Sequence, residues 1–294
     1  MLRPGSSSRN PTAGARLTLG LLAGLLAAGS IAAHPGIDDQ IAHVTTLIEK
    51  DPQNATLFLR RGELYRIHRA WADAEADYAK SRKLDPDLAL VDLCMGKLQL
   101  DADKPAEAKQ ALDLYLARRP HDADALAFHG RALARLGQHV AAAASFTRAI
   151  ANVRSDRPKP EYYLERAQAL EAAGISHLDE ALHGLDEGLA KLGNPVVLQN
   201  YAIELELKGR RYDAALARLA RMASRAQRKE TWLVRKGEIL ERAKRFDEAR
   251  AAYEQSLVAV DALPASRRQN RAVEKLVEQA RTALARLEET PATK

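Results

Sequence analysis

The sequence predicts an all-α fold, an α-solenoid of stacked helical hairpins, and three observations carry that expectation. Ala, Leu, Arg and Glu recur through the 294 residues while aromatics make up only 5%, a balance that suits helices and not strands built on β-branched and aromatic side chains. Gly62, Gly96 and Gly130 are 34 residues apart, and Ala167, Ala202 and Gly237 continue the series at steps of 37, 35 and 35. Ala74, Ala108 and Ala142 run beside them at the same 34-residue step, followed by Ala181, Ala215 and Ala249 at 39, 34 and 34, and Pro52, Pro86 and Pro120 keep the period. A hydrophobic content of 46% excludes disorder, and a single cysteine, Cys94, excludes an intramolecular disulfide, a thiolate zinc cage or an iron-sulfur site.

The elements follow in chain order. Residues 1–33 read as a signal peptide of the general export type: Arg3, Arg9 and Arg16 make a basic leader without acids, Leu17 to Ala28 is an uncharged Leu/Gly/Ala run, and Ala32-Ala33 is a small-residue cleavage site. The expected location is periplasmic or secreted, with no stable membrane insertion once the leader is gone. The alternative is an uncleaved N-terminal anchor in the inner membrane, because Leu17 to Ala33 is 17 uncharged residues, the bottom of the spanning range. Of 45 basic and 39 acidic residues, the leader holds three and none, so the remainder carries 42 against 39, a net of +3. That near-balance, with both signs interspersed, gives no footing for a nucleic acid partner.

Residues 34–54 hold a lone amphipathic helix, with Ile41, Val44, Leu47 and Ile48 on one side and Asp51-Pro52 as its stop. The first hairpin, 55–88, shows the unit: Leu57, Phe58, Leu64 and Tyr65, then Trp71, Ala74 and Tyr78, recur at helical spacing on two segments joined by a short polar turn. A glycine inside a helix costs about 1 kcal/mol against alanine, so Gly62 marks a place where a side chain would block the partner helix. Units 89–122 and 123–159 repeat the pattern with Gly96 and Ala108, then Gly130, Ala142 and Phe146. Units 160–194 and 195–229 depart from it, since Ala167 and Ala202 replace glycine and the turn between Ala173 and Ala181 reads as two residues. The sixth unit, 230–264, returns to type with Gly237, Ala249 and Tyr253. A helix over 265–289 carries Val273, Leu276, Val277, Ala280, Leu284 and Leu287 in one stripe, fit to cover the last hairpin, and 290–294 is a tail. The connection at 154–160, with Pro158 and Pro160, is expected to be extended; it either acts as a hinge or changes the curvature, or it is a surface excursion that leaves hairpin stacking regular.

Over residues 37–289 this pattern resembles the tetratricopeptide repeat family, whose 34-residue unit has a small residue in its first helix, a small and then a bulky residue in its second, and a proline near the end. The resemblance implies a right-handed superhelix of about six repeats between an N-terminal half-repeat and a C-terminal capping helix. It also implies that the first helices line a concave groove for an extended or helical peptide. The family's chaperone-tail clamp needs a Lys and an Asn where this chain has Leu59 and Glu63, so that specificity is not expected.

Chemistry-bearing motifs are missing. The sequence has no Gly-rich phosphate loop, HExxH, GxSxG or CxxC, and its eight histidines give no i, i+4 pair, so no catalytic residue, cofactor or metal site is expected. His34 would combine an amine and an imidazole after cleavage at Ala33, but no second histidine is placed to complete a copper site. Most histidines read as surface or turn residues, Cys94 as a small buried hydrophobe, and Glu204 and Glu206, two apart, as facing different directions.

What remains is recognition. Counting Asp, Glu, Lys and Arg, the first three first-helix windows sum to +2 and the last three to −3, which predicts a mildly bipolar groove. The expected basic half is Arg60, Arg66, Lys97, Arg131 and Arg135 with Glu63 as its only acid, and the polar or acidic half is Glu161, Gln168, Glu171, Asn200 and Glu206. The expected function is a non-enzymatic, exported scaffold for a protein or peptide partner in the cell envelope. The alternative is an accessory module guiding peptidoglycan or another glycan to an enzyme, which the sparse aromatics disfavour.

Overall fold

A computed structural model describes residues 36–289 except 155, 157, 158, 225 and 227; the leader, His34 and the tail lie outside the described residues. The described residues form helices without strands. After α1 (Ile37–Lys50) come the hairpins α2 (Ala55–Ile67) with α3 (Trp71–Leu84), α4 (Leu90–Asp101) with α5 (Pro105–Arg118), and α6 (Ala123–Arg135) with α7 (His139–Asn152). The series continues with α8 (Pro160–Ala173) and α9 (Leu178–Leu192), α10 (Val196–Lys208) and α11 (Tyr212–Ser224), and α12 (Glu230–Arg242) and α13 (Phe246–Asp261), closed by short α14 (Ala265–Arg268) and long α15 (Arg271–Glu289).

Each hairpin is closed by side-chain volume. A Cβ added at Gly130 would stand 2.9 Å from the Phe146 ring, and one at Gly62 or Gly237 would stand 2.5 or 2.6 Å from Tyr78 or Tyr253. The first helix is therefore bare where the second is bulky, and Ala74, Ala108, Ala142, Ala181, Ala215 and Ala249 are all fully buried. The fourth hairpin inverts this arrangement. Ala167 sits in its first helix, and the glycines lie in the second, where Gly188 receives the Tyr163 ring and Gly184 the Arg166 guanidinium.

The turns share a backbone requirement that the side-chain pattern does not announce. Arg69, Asp103, Gly137, Arg210 and Lys244 occupy the same turn position and all have positive φ, between 55° and 73°. In each case the next amide donates to the carbonyl five residues back, as Ala70 does to Tyr65 at 2.9 Å and Arg211 to Glu206 at 2.7 Å, which satisfies carbonyls left open at the helix end. The fourth turn is not the expected two residues: Gly174, at φ 125°, leads into one turn of 3-10 helix at Ile175–His177 before α9.

The core is unevenly divided. Its largest part runs without a break from α6 to α10 through Leu126, Phe146, Ile150, Tyr162, Tyr163, Leu185 and Leu198. It crosses the 154–160 connection: the helices on either side of the longest linker share buried aromatics, as expected of a surface excursion that leaves the stacking regular. At the end of the array Val273, Leu276, Ala280, Ala283 and Leu287 of α15 pack on α12 and α13, and the helix turns its charged side to solvent.

Candidate partner-binding groove

The first helices carry the polar side chains foreseen for the groove, and the structure shows how they are held. Tyr78 of α3 donates to Glu63 at 2.5 Å, and Arg66 reaches Glu63 at 3.0 Å and Asp101 of the next unit at 2.5 Å. Burial works to raise the Glu63 carboxyl, but the hydrogen bonds from Arg66 and Tyr78 and the charges of Arg66 and Lys97 outweigh it and hold the group below the usual carboxylate range. The Lys97 ammonium is 3.7 Å from Glu63 and 5.6 Å from the centre of the Phe128 ring, over which the Arg131 guanidinium also lies at 4.9 Å.

Around that ring is a cleft of about 430 Å3 whose walls include Arg66, Lys97, Phe128, Arg131, Glu161 and Tyr162. The Tyr162 hydroxyl donates to Asp124, which Lys159 also approaches at 3.5 Å; these contacts, against the opposing effect of burial, lower the Asp124 pKa. Arg131 donates to Glu165 at 2.8 Å across the third and fourth hairpins. The cleft is thus an aromatic floor ringed by cations and carboxylates that are already partly neutralised. It is suited to a peptide offering an apolar side chain and hydrogen-bonding backbone.

Four of the expected residues meet in this cleft, namely Arg66, Lys97, Arg131 and Glu161, and Glu63 stands beside it. The others are dispersed. Arg60, Gln168 and Asn200 are exposed, Arg135 bonds the Leu100 carbonyl oxygen, and Glu171 accepts from Tyr201 and Lys208. Glu206 is corrected: it is only 4% exposed and accepts from Arg218 at 2.8 Å, while Arg218 also reaches Asp186 at 2.8 Å. This is an internal ion cluster between hairpins, with Glu206 and Arg218 buried away from the solvent-facing groove.

Most charges of the two groove halves are not left open to solvent as single ions. Arg66 pairs with Asp101, Lys97 with Glu63, Arg131 with Glu165, Lys208 with Glu171 and Arg235 with Glu204, each time across adjacent units, so both halves are laced by pairs of both signs. Sequence reasoning missed Phe128, Asp124, Lys159 and Tyr162. The available signal was an aromatic three residues before Arg131, which puts ring and guanidinium on one helix face.

Other reactive side chains are internal. Burial, with Glu63 nearby, pushes the Cys94 thiol up to about 12, so it stays protonated and inert. His129 departs from the surface expectation: its Nδ1 lies 3.0 Å from Ser145 Oγ, Asp113 lies beyond its other nitrogen, and burial lowers its pKa. Ser145 is itself buried and donates to the Ala141 carbonyl oxygen, so this trio ties α5, α6 and α7 together. Among the described residues no group of three metal-ligating side chains occurs, and no helix is long and apolar enough to cross a membrane.

Fold and groove define an α-solenoid of helical hairpins whose first helices present a polar surface with an aromatic cleft. A family model described as tetratricopeptide repeat matches residues 95–160 and 202–266, and these stretches are tetratricopeptide repeats. A tetratricopeptide repeat protein from Parabacteroides merdae is similar at 12% identity, covering 83% of this chain and 92% of its own, with a TM-score of 0.51. Pseudomonas aeruginosa pilF is similar at 15% identity over 69% of this chain and 90% of its own, also at 0.51. MamA shares 24% identity over 53% of this chain and 82% of its own, at 0.46. No curated protein matches the chain. The fold is that of a protein-interaction scaffold.

Proposed function

We propose that this protein is a non-enzymatic, exported scaffold that holds a peptide segment of a protein partner in the concave groove, centred on Phe128, within the cell envelope. The observation that carries the reading is the cleft in which Lys97 and Arg131 flank the face of Phe128 beside Tyr162. An aromatic face can take an apolar side chain, and the surrounding polar groups can orient a peptide backbone. The basic leader, the apolar run and Ala32-Ala33 support export.

A photo-crosslinking amino acid in place of Phe128, compared with one in place of Ala76, an exposed position of a second helix, tests the groove in living cells. Discrete protein adducts are expected at 128 and not at 76; equal labelling at both sites overturns the reading. Intact mass of envelope-fraction protein, expected to begin at or near His34, tests export separately.

A further inference from the structure

The fifth and sixth hairpins meet less closely than their neighbours, and the gap has a definite chemistry. Val91, Ala125 and Tyr162 share one register position in the second, third and fourth units and are at most 2% exposed, but Val197 at that position in the fifth is 48% exposed. Val196 beside it is 62% exposed, at a place where the third and fourth units carry Asp124 and Glu161. A notch of about 320 Å3 opens here, with Val196, Met222 and Trp232 as its apolar walls and Asn194, Gln199 and Arg221 as its polar ones. It has room for one large side chain.

Two further features show what would fill it. The side-chain carbonyl oxygen of Gln199 is buried and has no hydrogen-bond partner among the described residues, although its amide nitrogen donates to Asn194 at 3.2 Å. A buried acceptor left open is costly and asks for an N–H. The chain from Ala214 to Lys229 contains Arg218, Arg221, Arg225, Arg228 and Lys229 and no acid. Arg218 is used by Glu206 and Asp186, and Arg228 by Glu230 at 2.5 Å. Among the described residues that leaves Arg221, on the notch, and Lys229, three residues before Trp232 in the chain and exposed, without an ion-pair partner.

We infer that this notch is a second docking site, for an acidic peptide segment that inserts one large apolar side chain between Val196, Met222 and Trp232. Its carboxylates face Arg221 and Lys229, and a backbone amide reaches the Gln199 oxygen. A concave, single-residue notch with an open acceptor fits a peptide better than a flat lipid surface does, because a peptide can seat a side chain in the notch and set its adjoining backbone N–H against the buried oxygen. The site is independent of the Phe128 cleft.

The test uses the full chain and a fluorescein-labelled heptapeptide of Asp and Glu with one central Leu, read by anisotropy. Versions with Lys for the acids and with Ala for the central Leu serve as controls. The acidic Leu peptide is expected to bind, the Lys version not at all, and the Ala version about tenfold more weakly. Val196→Asp and Arg221→Glu, both at exposed positions, are each expected to weaken binding by about tenfold or more, while Phe128→Ala changes it by less than about twofold. In a Trp71→Phe background, the emission of Trp232 is expected to shift to the blue on binding. Absence of peptide binding, indifference to Val196→Asp, or loss in Phe128→Ala alone overturns the proposal. So does capture of phosphatidylglycerol vesicles, abolished by Arg221→Glu, without peptide binding.

Discussion

The junction between the third and fourth hairpins and that between the fifth and sixth invert the usual expectation about linkers. The first has the long, proline-containing connection at 154–160, yet Phe146, Ile150, Tyr162 and Tyr163 share one core across it, and Arg131–Glu165 and Tyr162–Asp124 bridge it in opposite senses. The second is crossed by a thinner layer, in which Ile239 and Trp232 join Ile203, Leu207 and Leu219, and it leaves a notch of about 320 Å3. Loop length adds little to the free energy of bringing two elements together, whereas each buried aromatic contributes kilocalories. Coupling between hairpins therefore follows the side chains that bridge them and not the chain that links them.

Limited proteolysis should break the comparison most sharply if it is wrong. Trypsin is expected to cut first between Arg221 and Lys229 and only later between Arg154 and Lys159, leaving a stable fragment that ends near Ser224. First cuts at 154–159 would restore the hinge and remove the argument.

Overpacking comes next in size. Gly130→Leu drives side-chain atoms into Phe146 inside the best-packed stretch, so a loss of about 1–3 kcal/mol is expected, measured as a lowered denaturation midpoint with greater exchange of α6 and α7 amides. Gly209→Ala, just past the end of α10, meets the tip of the Leu178 side chain as its one close neighbour, with Arg211 and the Leu205 carbonyl oxygen at 3.5 Å, and is expected to lose less.

The turns sharpen the comparison from the opposite direction. Arg210 and Lys244, on the two hairpins of the weaker junction, hold the left-handed conformation without being glycine. Arg210→Gly and Lys244→Gly are each expected to gain about 1 kcal/mol, and Gly137→Ala at the corresponding turn to lose a similar amount. Thermal melts decide the sign.

The smallest effect is electrostatic. Glu63 and Asp124 have carboxyl pKa values lowered in the folded state, so their contribution is present at neutral pH, where the unfolded carboxyls are also ionised, and is lost as pH falls below about 4.5 toward the folded values. Stability measured from pH 6 down to about 3 should therefore fall less steeply in Glu63→Gln than in the parent. Equal slopes would mean that Tyr78 and Arg66 do not favour the ionised form.

Hairpin architecture was legible in the sequence because it is local. Gly130 and Phe146 lie 16 residues apart on two helices joined by a tight turn, so one recurring spacing records both the period and the contact. The same spacing misreads the fourth unit, where the bulky residue and the glycine exchange helices: Tyr163 packs on Gly188, and the pair leaves no mark at the expected positions. Tertiary structure alone decided the groove. Arg66 with Asp101, Arg131 with Glu165 and Arg218 with Asp186 are chosen by how one helix rotates against the next, and a small rotation changes whether a carboxylate meets solvent or a guanidinium. Periodicity fixes which residues share a helix face, but burial and charge pairing depend on what the adjoining hairpin brings to that face, and side chains 30 or more residues apart carry no spacing rule to reveal it.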